Sequence, residues 1–248
     1  MFIAKNILLF LAVLLVLFTE VFFLRQYLKT FYPTRTMISL RNKMICATCY
    51  IALALLGVLY RGEISPYSRM VLLAFVLSWV GDFLLHVPKG NAFFNYGVGA
   101  AAFFVGHFFF IGAFSSLQSQ MLHLYVNVYY WQLIVPVVAA VLFLVAFRIL
   151  GIKTGKLTVP CFLYALLVCA MAVSAFALAV TLLQKQDNPS VAAVVMLSLG
   201  GLCFLQSDIS LGMSFFSDKY KKLGVQVFTM VTYFTAQTLL ASTIFLLG

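Results

Sequence analysis

Eight apolar stretches, each near 20 residues long, constrain the fold of this chain more than any other feature of its sequence. A helix needs about 20 apolar residues to cross the hydrocarbon core of a bilayer. The apolar residues run continuously instead of alternating with polar ones, which excludes the strands of a membrane barrel. We therefore predict an all-α fold, a polytopic bundle of eight transmembrane helices, with residues 1–248 forming a single integral membrane domain. The predicted helices are Ile3–Leu24, Met44–Tyr60, Met70–Val87, Phe93–Phe114, Tyr129–Phe147, Leu157–Leu183, Val191–Phe215 and Val225–Leu247.

The composition also excludes a water-soluble protein. Hydrophobic residues make up 64% of the chain and charged residues 9%, whereas soluble domains have about 45–50% and about 25%. The net charge of +10 is spread over short loops and not gathered on one wettable face, as it would be in a nucleic-acid-binding protein. We therefore expect membrane lipids as partners and no nucleic acid.

The positive charges also predict the orientation in the membrane. If eight helices alternate, four basic residues lie on one side, namely Lys5, Arg61, Arg69 and Lys185, and the other twelve lie on the opposite side. The positive-inside rule places the twelve in the cytoplasm and both termini on the non-cytoplasmic side. No small-residue cleavage site follows the first stretch, which predicts a retained helix. The membrane would be a bacterial inner membrane or a eukaryotic endomembrane.

Three acidic residues, Glu20, Asp82 and Asp208, fall inside predicted membrane helices. Each embedded carboxylate costs about 2.5–3.5 kcal/mol on insertion scales, so such residues are candidates for function. All three lie late in odd-numbered helices, which places them in the cytoplasmic half, and we expect Asp82 and Asp208 to meet in one chamber there. Glu20 lies close to the predicted interface, where we expect it to be solvated. Structural pairing of the aspartates with a basic residue stays an alternative.

Other polar residues share faces with these acids or with each other at helical spacing. Ser78, Asp82 and His86 lie on one face of the third predicted helix, and Tyr96 and His107 lie on one face of the fourth. A polar stripe in lipid must face protein or a watery cavity. For His86, solvation at the interface is an equal alternative to a role in the site. For His107, packing against a neighbouring helix is an equal alternative.

The last predicted helix carries Tyr233 and Gln237 in a mostly polar stripe, for which binding and helix packing are again equal alternatives. Cys46 and Cys49 form a CxxC, but no second pair or histidine pair follows at the spacing of zinc ligands. We therefore expect buried free thiols, no metal and no cofactor.

Four motifs occur in order along these helices. They are SWVGDFLL at Ser78–Leu85, FNYGVGAAAFFVGHFFFIGAF at Phe94–Phe114, LGGLCFLQSDISLG at Leu199–Gly212 and TYFTAQTLLA at Thr232–Ala241. Their order and their placement on the helices resemble the YhhN-like lysoplasmalogenase family. The resemblance covers most of the chain from about Leu72 onward.

This resemblance implies an eight-helix membrane protein and an activity. Characterised members of the family hydrolyse the vinyl ether bond of lysoplasmalogens, releasing a fatty aldehyde and a glycerophospho-ethanolamine or -choline. A lysoplasmalogen or related lysophospholipid is therefore the expected substrate. The resemblance carries the two motif aspartates onto Asp82 and Asp208 and suggests Tyr233 and Gln237 as pocket residues. Further candidates for substrate binding are His107, Tyr96, Lys43 and Ser78, and by side and position alone Lys43, Arg41 and Lys89 are candidate phosphate contacts.

The chemistry of a vinyl ether suits two carboxyls in one pocket. Protonation at carbon gives an oxocarbenium ion, water captures it, and the hemiacetal collapses to aldehyde and alcohol. We hypothesise that one aspartate protonates the vinyl carbon while the other stabilises the cation, as paired carboxylates do in glycosidases; which does which stays open. The alternatives are a membrane transporter or channel, for which no inverted repeat is evident, and a non-catalytic lipid-binding protein.

Overall fold

The computed structural model of the protein describes residues 2–88, 92–123, 129–185 and 188–248. Throughout these ranges it contains helices and no strand. Eight helices are long and apolar enough to cross a membrane, which confirms the predicted all-α class and helix number. The helices are α1 (Phe2–Thr30), α2 (Met37–Arg61), α3 (Pro66–His86), α4 (Ala92–Leu122), α5 (Tyr130–Ile149), α6 (Thr158–Lys185), α7 (Val191–Phe216), α8 (Leu223–Ser242) and the short α9 (Ile244–Leu247).

Helix α2 begins seven residues before the predicted Met44 because a polar cap stabilises its first turn. The Thr36 hydroxyl accepts a hydrogen bond from the Ser39 amide, and the Ser39 hydroxyl accepts one from the Thr36 amide. This reciprocal pair is a capping box, which satisfies backbone donors that a helix start leaves exposed. The earlier start places Lys43 inside the helix, where hydropathy alone had placed it in a loop.

Glu20 was predicted to be solvated near the end of its helix, and this prediction is wrong. Helix α1 continues to Thr30 instead of ending at Leu24, so Glu20 lies almost three turns before the end. Its residue surface is only 4% exposed. The Cys46 thiol of α2 donates to the Glu20 carbonyl at 3.6 Å, which shows that α2 packs against α1 at this level.

The chain divides into two compact units, and the first contains Met1–Gly106 and Ala241–Gly248. In this unit α2 lies against α1, α3 and α9. Helices α3 and α4 approach closely because Gly81 has no side chain: a Cβ there would lie 2.5 Å from the Phe103 ring. This close crossing fixes the part of α3 that carries Asp82.

The second unit is His107–Leu240 and contains the later part of α4 and helices α5 to α8. Helix α6 packs between α5 and α7. A Cβ on Gly201 of α7 would lie 3.2 Å from Ala175 of α6, so small residues allow these helices to pack tightly. The predicted single domain over residues 1–248 stays a prediction.

Large apolar side chains cover the outside of the helices. Leu8, Phe18, Leu142 and Val159 are among many that are exposed. An exposed apolar surface of this extent requires lipid as its solvent. The eight apolar helices therefore indicate a multi-pass membrane protein, while its orientation and the identity of its membrane stay predictions.

Candidate active site

The first buried carboxylate, Asp82, lies in the first unit and forms an ion pair. Its Oδ1 lies 2.9 Å from Lys43 Nζ, and the two side chains are 1% and 5% exposed. Its Oδ2 accepts a hydrogen bond from the Tyr50 hydroxyl at 3.2 Å. We call Asp82, Lys43 and Tyr50 the Asp82 cluster. An ammonium and a carboxylate at this distance form a pair that is nearly neutral as a whole, which lowers the cost of burying either charge.

Helices α2 and α3 build the Asp82 cluster by simple helical spacing. Lys43 and Tyr50 are seven residues apart, which places them on one face of α2 two turns from each other. Tyr50 is fully buried, and its ring packs against Phe75 of α3 with centroids 5.1 Å apart. The lysine and the tyrosine thus approach the same carboxylate from two levels of one helix.

The polar stripe predicted on α3 is buried in protein along its whole length. Ser78, Asp82 and His86 all lie in the interior. His86 Nε2 lies 2.9 Å from the Ser39 hydroxyl, and its Nδ1 lies 3.5 Å from the Tyr27 hydroxyl. Both ring nitrogens therefore have partners, and His86 acts as a structural link between α1, α2 and α3.

The second carboxylate, Asp208, lies in the second unit with different neighbours. Its side chain is 8% exposed, and its Oδ2 lies 3.7 Å from His107 Nε2. The same oxygen accepts a hydrogen bond from the Tyr164 hydroxyl at 3.1 Å. We call Asp208, His107 and Tyr164 the Asp208 cluster. Its basic member is an imidazole, which carries a charge only when it is protonated.

Aromatic contacts connect the Asp208 cluster to helix α8. The ring of Phe204, one turn before Asp208 on α7, lies edge-on to His107 with centroids 4.9 Å apart. The same ring contacts Tyr233 at 5.7 Å. Gln237 Nε2 donates to the Tyr233 hydroxyl at 2.8 Å. The second unit thus brings His107, Asp208, Tyr233 and Gln237 into one neighbourhood.

Gln237 also presents an acceptor to the interior. Its Oε1 is buried and has no hydrogen-bond partner among the residues that the structure describes. A buried amide oxygen without a partner costs about 1–3 kcal/mol. A water molecule or a substrate hydroxyl that donates to this oxygen would recover that free energy.

The sequence profile of the YhhN family matches residues 42–244. The chain belongs to the YhhN family. Neither the curated proteins nor the solved structures include a match. The YhhN segment contains every member of the Asp82 and Asp208 clusters, while the connection between α1 and α2 lies before it.

The remaining predicted residues lie elsewhere in the first unit of this YhhN protein. Tyr96 lies near the beginning of α4, where its hydroxyl accepts a hydrogen bond from Arg35 Nη1 at 2.9 Å. Arg41 is exposed on the first turns of α2. Lys89 lies outside the described residues. The prediction of Lys43 as a phosphate contact stays a prediction, and its amine faces Asp82.

Two members of these clusters were not predicted from the sequence. Tyr50 could have been found from its seven-residue spacing to Lys43, had Lys43 been assigned to the helix. Tyr164 had no such signal, because it is the single tyrosine of a mostly apolar α6. Its partner is on another helix, and periodicity within one helix does not report contacts between helices.

The two clusters offer acid–base chemistry with side chains alone. Across the described part of the chain, no group of three His, Cys, Asp or Glu residues is arranged to hold a metal ion. A carboxyl group that accepts a hydrogen bond from a phenol, as in both clusters, and an imidazole near it, as beside Asp208, can hold a proton and transfer it to a substrate. The expectation that Asp82 and Asp208 meet in one chamber stays a prediction.

Proposed function

We propose that this YhhN protein is a lysoplasmalogenase-type hydrolase that cleaves the vinyl ether bond of a lysoplasmalogen. The observation that carries the proposal is the family match over residues 42–244, which contains both Asp82 and Asp208. The products would be a fatty aldehyde and a glycerophospho-ethanolamine or -choline. A single-chain lipid also suits a protein whose helices expose apolar side chains to the bilayer.

We assign the proton donor to Asp208. Vinyl ether hydrolysis begins when an acid transfers its proton to the vinyl carbon, and the C=C electrons form the new C–H bond. The Tyr164 hydroxyl and the His107 ring can support either charge state of the carboxyl, because neither is a permanent cation. Asp82 is less suited to this role because the Lys43 ammonium already contacts its Oδ1 at 2.9 Å.

Water then adds to the oxocarbenium ion, and the hemiacetal collapses. The water oxygen bonds to the cationic carbon and loses one proton, which restores the acid. The hemiacetal hydroxyl then loses its proton as the C=O bond of the aldehyde forms, the carbon–oxygen bond to glycerol breaks, and the glycerol oxygen takes up a proton. Gln237 Oε1 is a buried acceptor that can hold such a water in place.

The decisive experiment measures aldehyde release by the purified full chain in detergent. We expect aldehyde from an alkenyl lysolipid and none from the saturated ether analogue, which has no vinyl carbon to protonate. Asp208→Asn should lower kcat by about 100-fold or more, the usual contribution of a general acid. The rate should also fall in D2O, because a proton moves to carbon in the slow step.

Asp218→Asn is the matched control, because it removes a carboxylate at a surface position. The side chain of Asp218 is 91% exposed and pairs with Lys221, so its loss should leave kcat unchanged. Full activity in Asp208→Asn would refute the assignment of the acid. Ion-dependent uptake into proteoliposomes without hydrolysis would instead support the transport alternative.

A further inference from the structure

A cleft of about 310 Å³ opens at one end of the first unit. It is formed by the connection between α1 and α2, the end of α3 and the beginning of α4. Its lining residues are Thr34, Arg35, Leu84, Val87, Pro88, Asn95 and Tyr96. This volume is at the lower end of the range for small-molecule sites, about 300–1,000 Å³, and is large enough for a phosphoester group with its substituent.

Arg35 is held in the cleft by contacts that use only one of its nitrogens. Its Nη1 donates to the Leu85 carbonyl and, at 2.9 Å, to the Tyr96 hydroxyl. The guanidinium carbon also lies 5.3 Å from the centre of the Tyr96 ring. These contacts fix the plane of the guanidinium before any ligand binds, which lowers the entropy lost on binding.

The opposite edge of the guanidinium is available for a ligand. A guanidinium has five N–H donors, and the contacts to Leu85 and Tyr96 both come from Nη1. Within the described ranges, Nε and Nη2 donate to no residue, and no acidic side chain forms an ion pair with Arg35. This edge presents two parallel N–H groups, the geometry that binds phosphate with two hydrogen bonds.

The surroundings of the cleft favour an anion with polar oxygens. Thr34 contributes a hydroxyl and Asn95 an amide to its lining. Arg25 and Arg41 lie exposed on the adjoining parts of α1 and α2, so the local field attracts negative charge. Leu84, Val87 and Pro88 supply an apolar side to the same cleft. The combination suits a phosphate that carries an organic group, more than a bare cation or a neutral sugar.

The cleft also lies close to Asp82 along the chain. Leu84 and Val87 follow Asp82 on α3 and at its end, and five residues of helix correspond to about 7.5 Å along the axis. In a lysolipid only the glycerol backbone separates the phosphate from the vinyl ether. We infer that the Arg35 cleft binds the phosphodiester of the lysophospholipid headgroup, an inference that rests on the proposed function for the identity of the lipid.

Thr34 and Arg35 lie before the segment that matches the family profile, whereas the other lining residues lie within it.

The test compares two substrates that differ only in the phosphate, an alkenyl glycerophosphocholine and the corresponding alkenyl glycerol. The readout is the ratio of their kcat/KM values in purified full-length protein. Arg35→Gln should lower this ratio by about 10- to 100-fold, mainly through KM, as expected for loss of charge-assisted hydrogen bonds. Arg35→Lys should recover only part of the loss, because an ammonium lacks the two parallel donors.

Lys29→Gln is the matched control, since it removes one exposed positive charge from the same end of α1 without lining the cleft. We expect its ratio to stay within about twofold of the parent, as for a surface charge that is screened by salt. An unchanged ratio in Arg35→Gln, or an equal loss in Lys29→Gln, would overturn the inference. Thermal unfolding of each variant separates loss of binding from loss of fold.

A binding experiment keeps the cleft testable if the protein hydrolyses neither substrate. The saturated-ether lysolipid serves as the probe, and weaker binding by about tenfold in Arg35→Gln would support the cleft although the proposed function had failed. Equal binding by the parent and the variant would overturn it. Competition by glycerophosphocholine or inorganic phosphate identifies the source, because a lipid site should bind the lysolipid more tightly than either soluble phosphate.

Discussion

The ion pair between Lys43 and Asp82 makes a quantitative prediction about stability. Both side chains are buried, and their charged atoms lie 2.9 Å apart. Replacing Lys43 with Met leaves the carboxylate in a low-dielectric interior with the Tyr50 hydrogen bond but without its cation. Breaking a buried pair in this way costs about 3–5 kcal/mol.

The corresponding change in thermal stability is large enough to measure. For a chain of this size, 1 kcal/mol shifts Tm by about 2–4 °C. Lys43→Met should therefore lower the Tm of the detergent-solubilised protein by about 6 °C or more. The assay is thermal unfolding followed by tryptophan fluorescence or by loss of the monodisperse peak in size-exclusion chromatography.

The double variant separates the charge pair from general damage to packing. Lys43→Met combined with Asp82→Asn removes both charges, and the Asn oxygen can still accept the Tyr50 hydrogen bond. The double variant should be more stable than the sum of the single changes implies, by about 1–3 kcal/mol. Additive losses would refute the reasoning, because they would show that the two charges do not stabilise each other.

An exposed ion pair provides the control. Lys221 and Asp218 lie even closer, at 2.7 Å, but both side chains are largely in solvent. Lys221→Met should leave the Tm unchanged within error, because surface pairs contribute little to stability. A similar drop in both variants would mean that loss of any lysine destabilises the protein.

Three further substitutions test the site and the helix packing. Tyr164→Phe removes the hydroxyl that donates to Asp208 and should lower kcat by about tenfold in the aldehyde assay. An unchanged kcat would show that the hydroxyl has no part in the reaction. Gln237→Leu removes the buried acceptor and also the donor to the Tyr233 hydroxyl. We expect kcat to fall, and a lower Tm with normal kcat would assign Gln237 to packing. Gly81→Ala places a Cβ 2.5 Å from the Phe103 ring, and thermal unfolding should show a loss of about 1–3 kcal/mol in stability. Gly97→Ala is the control, because a Cβ there meets no atom within 4 Å. It should stabilise α4 by up to about 1 kcal/mol.

The helices could be predicted from the sequence because the bilayer imposes a length and a composition on each of them. The errors concern helix ends. Helix α1 extends past Leu24 to Thr30, since arginine and lysine side chains can remain in a helix at the membrane surface when their charged ends reach the headgroups. Helix α2 begins at Met37 because a capping box outweighs the polarity of its first turns. The extension of α1 places Glu20 well before the end of its helix, and the earlier start of α2 places Lys43 within its helix. Both residues are buried.

The acidic residues of the site could also be predicted, because a carboxylate in lipid needs an explanation. The residues that contact these acids could not be predicted. Lys43 faces Asp82 and Tyr164 faces Asp208, and both contacts join different helices whose relative rotation depends on packing. Arg35 gave no signal, because a basic residue in a loop of a membrane protein is ordinary. The structure places Tyr96 beside it, a contact that the sequence does not indicate.

The short link between α2 and α3 has a consequence for how the protein enters the membrane. Only residues 62–65 separate these helices, so the translocation machinery can receive them as one hairpin during synthesis. If they entered singly, the lysine of α2 and the aspartate of α3 would each meet hydrocarbon as an isolated charge, at about 2.5–3.5 kcal/mol apiece. Within a hairpin, the two charges can neutralise one another before lipid surrounds them.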